Sequence, residues 1–189
     1  MAPHNDKDLL KVKKLQGLYN MIPNLIWSAL NLVPVSVFCY NFMELKLIYI
    51  FLGFSIIPIF LPNSFFNKIQ FSNSTTIYKK LGVGIINKVA QNGDIVNWLI
   101  RKQFPGYRVI TFKKSSVSRL LQQTYLYEKF HFILFIFFSL TTIYSLGNRY
   151  FIWSVIISIT NLAYNVYPNL LQQYIRIKLI LYNKESRSV

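Results

Sequence analysis

Residues 130–146 read FHFILFIFFSLTTIYSL, a run with no Lys, Arg, Asp or Glu and neither proline nor glycine. Strands of a soluble core rarely exceed about eight residues, and a helix on a soluble surface keeps one polar face. This run has too few polar positions for such a face, so as a helix it belongs in hydrocarbon. Three further stretches are equally free of charge, at about 18–43, 47–66 and 150–174. A hydrocarbon core takes roughly 20 helical residues. The expected fold is therefore all-α: a polytopic membrane protein with about four transmembrane helices, forming one membrane domain over residues 1–189. Pro23, Pro34, Pro58 and Pro168 fall inside these stretches, as membrane helices tolerate. Glu44, Lys46 and their neighbours separate the first two stretches, which makes them a hairpin. Gly147 and Asn148 mark a second tight turn.

Composition agrees. Hydrophobic residues make up 53% of the chain and charged residues 14%, against about a quarter charged in ordinary globular domains. The charges are mostly of one sign, with 21 Lys and Arg against 6 Asp and Glu. Such a balance suits nucleic acid, an anionic membrane face or acidic ligands, and the placement of the charges selects among these. Nineteen of the 21 basic residues lie in the N-terminal arm, in segment 67–129 and after Tyr174; Lys46 and Arg149 alone occupy the short connections. Basic residues stay on the cytoplasmic side. Both termini and the basic loop 67–129 are thus expected in the cytoplasm of a multi-pass protein of the cell (inner) membrane. That rule accounts for the charge without nucleic acid.

In the basic loop, short interfacial helices are expected, broken near Asn92–Gly93 and Pro105–Gly106. From Ser115 and Ser116, plausible caps, one helix should continue through SVSRLLQQTYLYEKFHF into the third span. Tyr125 and Tyr127 would sit at headgroup depth. The N-terminus mixes acidic and basic residues and lacks a small-residue cleavage site, so no removable signal peptide is read. Cys39 is the only cysteine, which excludes an intrachain disulfide and a Cys-based metal cage. No phosphate-binding glycine loop, no G-x-S-x-G elbow and no metal-ligand spacing is present; neither a metal nor a cofactor is expected.

Polar residues within spans should face inward. At about 100° per residue, Asn161, Asn165, Gln172 and Arg176 fall within about 60° of one another. Asn20, Asn24, Ser28 and Asn31 make a similar stripe on the first span, and Glu128, His131, Ser139 and Thr142 one on the third, each within about 80°. Three helices thus each present a polar face, and the economical arrangement points these faces at one another as interhelical glue. Glu128 and His131 stand apart, because they pair an acid and an imidazole three residues apart at the inner boundary of a span, level with Gln172 and Arg176. Two arrangements satisfy them: carboxylate, imidazole and guanidinium converge in one site, or a Glu–Arg pair forms and His131 reaches toward water.

Three segments carry a resemblance. YKKLG at Tyr78–Gly82, Glu128-Lys-Phe-His131 as an E-x-x-H element, and Pro168-Asn-Leu-Leu-Gln-Gln-Tyr-Ile-Arg176 as a P-x-x-x-Q-R-Y-N-R ending resemble the small membrane acyltransferases typified by glycosyl-4,4'-diaponeurosporenoate acyltransferase. Those enzymes attach a fatty acyl chain to the sugar of a carotenoid glycoside. The likeness spans Tyr78 to Lys178; Gln173 stands where the family usually has Arg, and Ile175 where it usually has Asn. The resemblance points to His131 as general base with Glu128 fixing its tautomer and to Gln172, Tyr174 and Arg176 as substrate-binding residues, and the inward polar face of the last helix adds Asn165 to them. Arg176 and the basic loop would receive an anionic acyl thioester donor, coenzyme A or an acyl carrier protein, while an amphiphilic acceptor arrives through the membrane lipid. No serine or cysteine nucleophile is evident, which favours direct transfer. The competing class is a non-catalytic membrane subunit or scaffold that docks through its basic loop.

Overall fold

The protein is described by a computed structural model over residues 6–84, 94–105 and 114–185. Among these residues there are helices and turns and no strand. Helix α1 runs Asp6–Phe42 and turns at Met43–Glu44 into α2, Leu45–Ser55. A 3₁₀ turn, Ile57–Phe60, leads to two short helices, α3 at Asn63–Lys68 and α4 at Thr75–Lys80. Helix α5, Asp94–Gln103, precedes α6, Lys114–Gly147. After a tight turn, α7 at Phe151–Asn161 continues through a π turn at Leu162–Val166 into α8 at Tyr167–Glu185.

Two helical stretches are long and apolar enough to cross a membrane, Leu10–Phe42 and Val117–Gly147. Helix α6 begins two residues before the expected Ser116 and then runs unbroken, because no proline removes a donor before Gly147. Its hydroxyls are satisfied within the helix: Thr141, Thr142 and Ser145 donate to the carbonyls of Phe137, Phe138 and Thr142. The second expected span differs. Helix α2 ends at Ser55, and the chain tightens into the 3₁₀ turn with Pro58 in its first positions. Pro58 supplies no backbone N–H to continue the α ladder, and Pro62 caps the separate helix α3. The stretch 47–66 is therefore two helices and a turn, not one helix.

Helix α6 packs along α7, the π turn and α8, while α1 lies against α7 and the π turn. The two tight turns meet at one end of this bundle. Val35, Phe38, Cys39, Met43, Phe138 and Ile157 form a buried cluster there, and the Tyr144 hydroxyl donates to the Phe42 carbonyl at 2.9 Å. Arg149 closes its turn at φ 62°, a left-handed conformation uncommon outside glycine. Cys39 is a buried free thiol. Toward the other end, α4 packs on α8. Helix α5 lays Val96 and Ile100 on Val12 of α1, leaving Trp98 exposed with Lys102 over its ring. Pro105 lies just beyond the end of α5, where a break is expected; Asn92, Gly93 and Gly106 lie outside the described residues.

Candidate active site

The interhelical polar network starts at Glu128 of α6, which is 1% exposed. One carboxylate oxygen accepts from the amide of Gln173 at 2.7 Å, and the other from Arg176 Nη1 in a buried salt bridge. Arg176 is fully buried. Its Nε and Nη2 donate to Gln70 Oε1 at 3.2 and 3.0 Å, and Nη2 also to the Phe66 carbonyl at 3.4 Å. The guanidinium lies 4.5 Å from the centre of the Tyr125 ring, a cation–π contact. A buried charge needs this kind of enclosure, because its desolvation is offset only when both the ion and its remaining donors are matched.

Gln173 is the second hub. The Phe71 N–H donates to its Oε1 at 3.1 Å, and the Tyr78 hydroxyl lies 2.9 Å from the same oxygen. A backbone N–H can only donate, so the amide oxygen must face it and the amide nitrogen must face Glu128. The Gln173 position thus accepts on one side and donates on the other, which a donor-only guanidinium there would not do. Tyr78 is fully buried, and burial pushes its phenol above the ordinary range, which keeps it a donor. Gly82, the last residue of the YKKLG segment, sits at φ +79° just after α4, where a side chain would be strained. The three segments singled out in the sequence are therefore parts of one assembly: Tyr78, Glu128, Gln173 and Arg176 touch in an unbroken chain.

Several expected roles change with this geometry. Gln172 is half-buried on the flank, and Gln173 takes its place. The π turn supplies the reason: it carries one residue more than an α turn, so every side chain after it is rotated back by about 100°, one residue's worth. Asn169, Gln173 and Arg176 then follow Asn161 and Asn165. Pro168 lies just beyond this turn and has no N–H for the Tyr164 carbonyl. Tyr174 belongs to a packed cluster with Tyr78, Val83, Leu171 and Ile177. Arg176 is enclosed by protein acceptors, which leaves it no open face for an anionic donor. The Glu–Arg arrangement is the one formed, and the carboxylate engages Arg176 and Gln173 rather than His131.

His131 lies one turn further into α6. Its ring meets Tyr164 of the π turn edge-on, with centroids 5.7 Å apart, and Phe130 at 5.2 Å. The residue is half-buried, and its Nδ1 is buried without a hydrogen-bond partner among the described residues. The Asn165 side chain and the Tyr164 carbonyl are its polar neighbours. The Tyr164 hydroxyl bonds Ser28 of α1 at 2.8 Å, and Asn161 donates to Ser139 at 3.1 Å. The polar faces of the three helices do meet, although Asn24 is exposed and Asn31 bonds back to the Trp27 carbonyl of its own helix. Gln70 and Tyr164 were not singled out from the sequence, while Tyr125 was expected only at headgroup depth and Gln173 only as a departure from the family's usual Arg. Among the described residues no group of His, Cys, Asp and Glu is placed to hold a metal.

The model of the glycosyl-4,4'-diaponeurosporenoate acyltransferase family matches residues 62–185. The chain belongs to that family. The match takes in Tyr78, Glu128, His131 and Arg176, and so the whole of the enclosed cluster, while α1 and α2 lie before it. No curated protein and no solved structure matches the chain. The family is one of acyltransferases, and the acyl-transfer family resemblance read from three short segments is thereby carried over a region longer than Tyr78 to Lys178.

Proposed function

We propose that this protein is a membrane acyltransferase that moves a fatty acyl chain from a cytosolic thioester, on coenzyme A or an acyl carrier protein, to a hydroxyl of a glycosylated lipid or carotenoid-like acceptor. One observation carries the reading: the family's matched region folds so that His131, the only imidazole among the described residues, sits beside an anchored polar cluster, with no bond among those residues tying it into that cluster. His131 is the general base. It takes the proton of the acceptor hydroxyl as the oxygen attacks the thioester carbonyl. The ester C–O bond forms, the C–S bond breaks, and the proton passes from the imidazole to the departing thiolate. No acyl-enzyme is required. Glu128, with Gln173 and Arg176, holds the segment 66–78 onto α6 and α8 and so fixes the wall of the site. Lys79, Lys80 and Lys178 are exposed and supply the positive face for the donor's phosphates.

The topology that goes with this reading has four crossings and both termini in the cytoplasm, in the inner membrane. The second crossing is short: α2 contributes about 16 Å and the 3₁₀ turn about 8 Å, against a hydrocarbon core of about 30 Å. Its support is the meeting of both tight turns at one end of the bundle and the sequestering of basic residues away from them. Single cysteines placed at Lys46 and Gly147 in a Cys39→Ala background should react with an impermeant thiol reagent added outside intact cells. A cysteine at Lys113 should not. Outside labelling at residue 113 would overturn the topology.

A second reading, a non-catalytic subunit docking on anionic lipid or a partner through the basic loop, is favoured by one fact: Glu128 and Arg176 satisfy each other and are sealed from solvent. Purified protein supplied with an acyl thioester and glycolipid acceptors separates the two. Ester formation supports the enzyme, and absence of transfer to every hydroxyl acceptor tried leaves the subunit.

A further inference from the structure

Three buried side-chain atoms have no hydrogen-bond partner among the described residues: His131 Nδ1, Asn165 Oδ1 and Asn169 Oδ1. An unsatisfied buried polar atom is destabilising, so a pair of them on neighbouring groups calls for an account. Asn165 is fully buried, and the hydrogen bonds behind it settle which way its amide faces. The Phe135 carbonyl can only accept, so the group beside it at 3.3 Å is the Asn161 amide nitrogen. Asn161 Oδ1 then accepts, and it does so from Asn165 Nδ2 at 2.8 Å. The Asn165 amide nitrogen is thereby committed, and its oxygen turns the other way. The second polar neighbour of the imidazole, the Tyr164 carbonyl, is also an acceptor. Both groups beside the ring can therefore receive a proton and cannot give one.

We infer that Asn165 is a positioning residue for His131, its amide oxygen accepting from Nδ1–H and leaving Nε2, on the other edge of the ring, as the base. The backbone carbonyl of Phe135 thus directs the imidazole through two asparagines, in the place where a carboxylate usually stands. The contact is open in the free protein and closes when substrate orders the site, as catalytic hydrogen bonds commonly do. Among the described residues the neighbouring titratable groups do not compete for the ring. The Tyr164 hydroxyl is bound to Ser28, and the Glu128 carboxylate is held by Gln173 and Arg176. The inference rests on His131 acting as base.

The chain has two histidines, so a His4→Gln protein labelled with ¹⁵N-histidine and placed in lipid nanodiscs reports His131 alone. At a pH where the ring is neutral, its nitrogen shifts should show the Nδ1–H tautomer, and Asn165→Leu should convert it to Nε2–H. An Nε2–H ring in the parent protein overturns the inference. So does an unchanged tautomer in Asn165→Leu, which hands the role to the Tyr164 carbonyl. Kinetics supply a second arm. Asn165→Leu should lose at least tenfold in kcat, and Asn165→Asp should keep most of it, since a carboxylate still accepts from Nδ1–H. If Asn165 were only interhelical glue, Asp would fail as badly as Leu, because it cannot donate to Asn161. The tautomer is read without any turnover, so a His131→Ala protein that kept its activity would sink the base assignment and leave this measurement standing.

Discussion

His131→Ala should lower acyl transfer by about a hundredfold to ten-thousandfold, the usual cost of deleting a general base, while the protein still accumulates in the membrane. Both halves of this expectation come from how little the imidazole contributes to the bundle. Among the described residues its Nδ1 has no hydrogen-bond partner, and the rings it meets, Tyr164 and Phe130, lie edge-on to it. The Tyr164–Ser28 bond that joins α1 to the π turn does not pass through it, nor does the Glu128–Gln173–Arg176 cluster. Truncation should leave the fold intact and remove only the proton acceptor. Transfer from an acyl thioester to a glycolipid, measured on purified wild-type and variant protein at matched concentration, tests the rate. Quantifying both proteins in isolated membranes tests the fold. Near-normal transfer by the variant would end the catalytic reading of His131.

Much of this arrangement is legible in the sequence, and the parts that are not have identifiable causes. The apolar stretches, the two turns and the inward polar faces follow from hydropathy and the 3.6-residue period, which act locally. The long helix through residues 130–146 needed only the absence of proline and glycine. Pro58 is visible in the second stretch, yet membrane helices often absorb a proline; whether the chain bends or tightens into a 3₁₀ turn is settled by what packs beside it. Pro168 poses the same problem with larger consequences. The stripe on the last helix is right as far as Asn165 and then slips by one residue, so that Gln173 replaces Gln172, because a π turn inserts a residue that no periodicity announces. The Phe66 carbonyl, in the six-residue helix α3, and Gln70, in the irregular chain after it, reach Arg176 from over a hundred positions away, and segments this short show no period to read. Sequence reasoning could bring Glu128, His131 and Arg176 to one neighbourhood. It could not divide one carboxylate between two suitors a helical turn apart.

That division yields the sharpest contrast between residues three apart on one helix. Glu128→Ala should destabilise the protein by roughly 3–5 kcal/mol, because it leaves the Arg176 charge buried without its counter-ion. Arg176→Ala should do the same by stranding the carboxylate together with Gln70 and the Phe66 carbonyl. Either loss also loosens Gln173, and through it Phe71 and Tyr78, so the segment carrying α3 and α4 should come away from α6 and α8. Replacing both ions at once with apolar residues of similar size, Glu128→Leu with Arg176→Met, should be far milder than the sum of the single changes, since no uncompensated charge remains. Thermal unfolding in detergent measures all three proteins. Limited proteolysis in the segment 66–80 reports whether that segment has detached. His131→Ala should thus be folded and inactive, whereas Glu128→Ala should be depleted and unstable, its activity falling with its abundance. A Glu128→Ala protein with the wild-type unfolding midpoint and no transfer activity would return the carboxylate to the chemistry and remove it from the scaffold.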